Sequence, residues 1–260
     1  MRIRYITATF FIFFVCVFAY AETWKKDRSR HFIIFYKSAP RDFVTAVEES
    51  AEDYYDNITR NLGFVRYDTW SFDKRAKIYI YDDHQDYMRS GKYADWSNGV
   101  VSARTKTIRT FPLAYGFFDS TLPHELGHII FREFIGFHAK VPVWFEEGVA
   151  MHQEKARRWG ANRIVREAMK GGSFIPIDKL NYVRLGKDTS KEMLQIFYSE
   201  SASFINFMIK KFGRYRFVRL CQKLKNGIPF EQALKEVYGK YNSLRRLNEA
   251  WINYVKSNEY

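Results

Sequence analysis

The sequence predicts an α+β protein, with a mixed α/β amino-terminal lobe over residues 22–138 that ends on a site-bearing helix. A mainly helical carboxy-terminal lobe follows over residues 139–260. Three observations predict this division. Short runs rich in β-branched and aromatic residues occur only before residue 112. Apolar residues recur at helical intervals over 43–62 and again through most of the chain beyond Gly136. Gly63, Gly91, Gly136, Gly171-Gly172 and Gly213 fall at the ends of these stretches, where a chain stops or turns.

The first 21 residues read as a secretory signal peptide. Arg2 and Arg4 form a basic start, Phe10 to Phe18 is almost wholly apolar, and Ala19-Tyr20-Ala21 supplies the small residues of a cleavage site. The expectation is an exported protein, periplasmic or extracellular, cut after Ala21. The alternative is an uncleaved anchor. No later stretch is long and apolar enough to span a bilayer. Removing the leader leaves Cys221 as the only cysteine, so the mature fold has no internal disulfide.

The mature chain then opens with a strand over 31–36. Phe43, Val47, Ala51, Tyr54, Tyr55, Ile58 and Leu62 mark a helix that Gly63 stops. Residues 76–81 alternate as a half-buried strand. Asp82 or Asp83 caps a short helix to Ser90, and 99–103 with 107–111 form a hairpin. A helix through residues 121–130 follows, ending by Gly136. The next helix runs from Pro142 to Lys155, another from Ala161 to Lys170, and 177–183 has no assignment. Helices over 191–212, 215–225, 229–238 and 243–256 complete the chain, with Ser243 as an N-cap.

An apolar content of 47% suffices for one core. The formal charge of +13 suits contact with anionic envelope surfaces or acidic substrates. The basic residues are scattered, however, which reads as solvated surface, and no nucleic-acid motif accompanies them.

Chemistry concentrates in Thr121-Leu122-Pro123-His124-Glu125-Leu126-Gly127-His128. On a helix, His124 and His128 lie one turn apart on one face and can aim both imidazoles at one ion. With Glu125 as general base, this is the pattern of a helix that holds Zn²⁺ for hydrolysis. A catalytic zinc needs a third protein ligand and an open position. Glu146 and Glu147 are the carboxylates available on the next helix. Neighbouring helical residues point about 100° apart, so only one of them faces the ion. Glu154, two turns beyond Glu147 on a continuous helix, is the candidate to hold a ligand imidazole by its other nitrogen. His152 falls off that face, and His31, His84 and His138 lack metal spacing.

The pattern His-Glu-x-x-His, eighteen intervening residues, then Glu-Gly-x-Ala resembles the gluzincin metallopeptidases of peptidase clan MA, the small secreted members above all. The resemblance implies a zincin-like fold, Zn²⁺ on His124, His128 and Glu147, and Glu125 as catalytic base. Because the ligand directly precedes the Gly in those families, it selects Glu147 over Glu146. Tyr198, before a Phe212-Gly213 ending, stands where such proteins carry a Tyr that serves the oxyanion. The implied substrate is a peptide or protein. Aminopeptidase N relatives carry a Gly-x-Met-x-Asn stretch that residues 95–120 lack, so cleavage within chains is expected over amino-terminal trimming. Residues 99–103 are then an edge strand for an extended substrate. The alternative is an extracytoplasmic binding or scaffold protein that keeps the zinc site with little turnover.

Overall fold

The computed structural model describes residues 23–64, 70, 74–91, 99–186 and 188–257, apart from the side chains of 156–159. The expected leader over 1–21 lies outside the described residues.

Five strands form one mixed sheet. They are β1 (Lys25–Arg28), β2 (Phe32–Tyr36), β3 (Ala76–Ile80), β4 (Val100–Ser102) and β5 (Thr107–Thr110), in the order β1-β2-β3-β5-β4. β2, β3 and β5 run parallel, and β1 and β4 close the two edges antiparallel. β1 escapes sequence reading because Lys25-Lys26-Asp27-Arg28 has no apolar alternation. It is a largely exposed edge strand that pairs through its backbone. The expected hairpin is β4–β5, whose turn needs Lys106 at a φ of 48°.

The crossover from β2 to β3 contains α1 (Arg41–Leu62), which buries Val44, Val47, Ala51, Tyr55, Ile58 and Leu62 and ends on left-handed Gly63. Between β3 and β4 lies α2 (His84–Arg89), where the Asp83 carboxylate accepts the Asp86 N–H at 2.7 Å. Asp82, the other cap candidate, instead accepts the Ser38 N–H.

After β5 comes one π-helical turn, Phe117–Thr121, which sequence reading does not anticipate. It leads into α3 (Leu122–Ile135), α4 (Val143–Met151), α5 (Lys155–Gly171) and the short α6 (Ile177–Leu180). The remaining helices are α7 (Lys191–Phe212), α8 (Arg214–Lys225), α9 (Phe230–Tyr238) and α10 (Leu244–Ser257), with a 3-10 turn at Gly239–Tyr241. Two boundaries need correction. α4 stops at Met151 instead of running to Lys155, because His152, Gln153 and Glu154 turn the chain inward as three buried polar residues. α5 therefore begins at Lys155, well ahead of Ala161.

The observed class is mixed α and β, with the sheet toward the amino terminus and helices beyond it. Trp144 meets Phe204 and Phe230 edge to face, as Phe145 meets Phe230, and Phe217 stacks on Phe145 where the helices meet. Among the described residues no helix is long and apolar enough to cross a membrane.

Candidate metal centre

Three helices hold the centre, and two glycines set their spacing. A Cβ on Gly127 of α3 would lie 3.0 Å from Ala150 Cα and 3.1 Å from Gln153 Cγ. One on Gly148 of α4 would lie 2.5 Å from the Ser201 carbonyl oxygen of α7. The missing side chains let α4 sit tightly between α3 and α7, which brings the carboxylate of α4 to the imidazoles of α3. Leu126, Ile129 and Ile130 bury the opposite side of α3 and fix its rotation.

His124 Nε2 and His128 Nε2 are 3.1 Å apart, and Glu147 Oε2 lies 3.6 and 3.7 Å from them. A point equidistant from three atoms so placed is about 2.0 Å from each, the length of a Zn–N or Zn–O bond. The three donors thus fit a small divalent cation and form the metal-capable group found among the described residues. The charges agree with the geometry. Four carboxylates (Glu125, Glu146, Glu147, Glu154) surround the imidazoles, and among the described residues the guanidinium of Arg132 stands against them. A dication offsets that excess.

Each imidazole has a carboxylate on its far side, within hydrogen-bond distance for His124 and somewhat farther for His128. His124 Nδ1 pairs with Glu154 Oε1 at 2.9 Å, and Glu154 Oε2 accepts the Ser120 hydroxyl at 2.6 Å. Glu154 therefore reaches the predicted partner, but from the turn after α4 rather than from a helical face shared with Glu147. His128 Nδ1 lies 3.8 Å from Glu146 Oε1. Glu146 is clamped by Arg132, whose Nε donates at 2.6 Å and whose Nη1 donates to the Ala139 carbonyl at 2.9 Å. Burial pushes Glu146 up, but nearby His128 and the Arg132 clamp outweigh it and hold its pKa at about 2. Glu146 thus takes a secondary position behind His128, clamped by Arg132 in a way that favours its anionic form. Sequence reading missed Arg132 and Ser120. Arg132 stands one helical turn past His128, which was a usable signal, whereas the π turn that aims Ser120 has none.

Glu125 is held differently. Burial raises its carboxyl above the ordinary range, the neighbouring imidazoles work against that, and Glu147 and Glu154 add to it. A carboxylate raised in this way is a stronger proton acceptor than an ordinary one. Tyr198 sits on α7, packed against Met151, Ala161 and Ala202, on the wall of a cleft between α5 and α7. That cleft includes none of the three metal-donor residues. His31 is buried on Glu52 and stacked on Tyr55, and His138 meets the Lys225 carbonyl, so both are structural.

An α+β fold that brings two imidazoles and a carboxylate of consecutive helices to one point, beside a half-buried Glu, belongs to the class of candidate metallohydrolases. The family model of the Peptidase MA superfamily matches residues 66–257, and the chain belongs to that superfamily. Membership supports a peptidase-type function. No curated protein matches the chain.

Proposed function

We propose that the protein is an exported, zinc-dependent peptidase that cleaves within chains. The observation that carries the reading is the convergence of His124 Nε2, His128 Nε2 and Glu147 Oε2 with Glu125 alongside. Export is supported by the basic, apolar and Ala-x-Ala parts of residues 1–21.

Zn²⁺, when bound, supplies Lewis acidity and brings the pKa of a coordinated water down to about 7. Glu125 takes a proton from the attacking water as its oxygen bonds to the peptide carbonyl carbon. It then delivers that proton to the amide nitrogen as the C–N bond breaks. Glu154 and Glu146 hold the two imidazoles in the orientation that leaves their Nε2 atoms facing the ion. The family resemblance alone supports a further role for Tyr198, donation of a hydrogen bond to the oxyanion. β4, outermost in the sheet among the described residues, offers backbone groups to an extended substrate, which fits cleavage inside a chain.

The test is zinc content and a cleavage-site profile on an unstructured protein, with a chelator control. His124→Ala should lose the zinc, while Glu125→Gln should keep both zinc and fold and lose hydrolysis. If Glu125→Gln cleaves as wild type does, the scaffold reading replaces this one. Tyr198→Phe should lower kcat by about tenfold or more without changing zinc content; an unchanged kcat removes Tyr198 from the mechanism.

A further inference from the structure

On the face formed by α7, α10 and the 3-10 turn lies a cleft of about 690 Å³. Each of those three elements contributes one cation to it: Lys211 from the last turn of α7, Lys240 from the 3-10 turn and Arg246 from α10. Among the described residues none of the three forms an ion pair, although Glu249 also lines the cleft. The frame is fixed. Arg246 Nη1 donates to the Lys240 carbonyl at 3.1 Å, which ties the turn to α10 and leaves the rest of the guanidinium fork available. Tyr241 packs edge-on against Phe212 and Tyr254 against Phe207, so the aromatic walls are anchored in the core.

Three like charges held around one concavity repel each other, and an anion lodged among them removes that cost. A guanidinium and two ammonium groups in one cleft, the Lys240 ammonium held over the Tyr241 ring, supply the charge and the donors that a phosphate takes. We infer that this cleft binds phosphate-bearing anions, independently of the metal centre. It gives part of the scattered positive charge a specific place to act.

The experiment is calorimetric titration of the zinc-loaded protein with inorganic phosphate at low salt. The test variant is the triple substitution Lys211→Gln, Lys240→Gln, Arg246→Gln. The control triple, Arg163→Gln, Lys170→Gln, Lys235→Gln, removes equal charge elsewhere. Both keep the metal centre, so phosphate bound at the zinc is common to them. The expected result is saturable binding that weakens about tenfold or more in the test variant and not in the control. Capture by phosphatidylcholine vesicles carrying about 30 mol% phosphatidylglycerol, lost in the test variant alone, identifies a lipid headgroup as the source. Phosphate binding without capture identifies soluble phosphate esters. Absence of saturable binding, or equal affinity in the two variants, overturns the inference. Peptidase activity should be equal in both variants, so loss of this site is separable from loss of the hydrolase.

Discussion

The cluster around His124 and the polar seam along α7 are both sets of polar side chains set into an apolar interior, on opposite sides of α4. In the seam, Glu200 Oε1 accepts the Ile175 N–H at 2.9 Å and Asn248 accepts the Ile177 N–H at 3.0 Å. Ser203 donates to Asn162 at 2.6 Å and accepts from Trp251 at 3.0 Å. Glu200, Ser201 and Ser203 are wholly buried. Apart from Glu200 Oε2, the seam turns its capacity inward and pins the loop around Pro176, where no proline N–H is available. Around His124 the donor side chains keep 16–23% of their surface exposed and aim three lone-pair atoms at one point. Polar groups that satisfy one another hold architecture, whereas polar groups that converge on a shared point await a ligand.

The most severe way to sharpen that contrast is Glu125→Gln. It removes a proton acceptor while preserving shape, and the rate of hydrolysis should fall by about 10²–10⁴-fold with zinc retained. Single-turnover kinetics beside metal analysis checks this. Gly148→Ala attacks the spacing between the two clusters instead. Its new Cβ meets a backbone carbonyl at 2.5 Å, which cannot swing away, so α4 and α7 must part. A loss of about 3 kcal/mol in urea unfolding is expected. Gly160→Ala is the control, since its Cβ meets nothing within 4 Å and alanine favours the helix by about 1 kcal/mol. Equal effects from the two would end the argument from close packing.

The same contrast explains what was legible in the sequence. His124, His128 and Glu147 could be read because helical spacing fixes the first two and a short pattern fixes the third. Their convergence is observed. Most helices were legible for the same reason, periodicity ended by glycine. β1 was not, because its stability is in backbone pairing at an exposed edge. The end of α4 was not, because what ends it is the burial of Gln153 and Glu154 against α3, a tertiary effect with no local signal. Glu154 was reached through a helical face that does not exist, and it still arrives at His124. The seam was not foreseen at all, since Ser and Glu inside a helix read as surface.

Removing Glu154 tests whether the orienting carboxylates matter as much as the donors they orient. Glu154→Ala frees His124 Nδ1 and the Ser120 hydroxyl together. Zinc affinity should fall about 10- to 100-fold, as competition with a graded chelator series would measure. Wild-type affinity would mean that helix packing alone sets the ring.

The smallest expected effect belongs to the seam and works through pH. Burial raises the Glu200 carboxyl from 4.5 to about 8, the bond from Ile175 N–H opposing it, and Oε2 finds no partner among the described residues. The folded protein therefore holds this proton more tightly than the unfolded chain does. The stability contributed by the neutral acid is whole below about pH 4.5, drains as pH rises, and is gone above about pH 8. Glu200→Gln keeps the acceptor for Ile175 and cannot ionise. Its melting temperature should match the wild type near pH 4.5 and exceed it by pH 9, the gap opening between those limits. Every other titrating group is common to the two proteins, so the difference between their curves isolates this one carboxyl. A difference that does not widen between pH 5 and pH 8 would mean that Glu200 ionises without cost, and the seam would then be open to water as the metal cluster is.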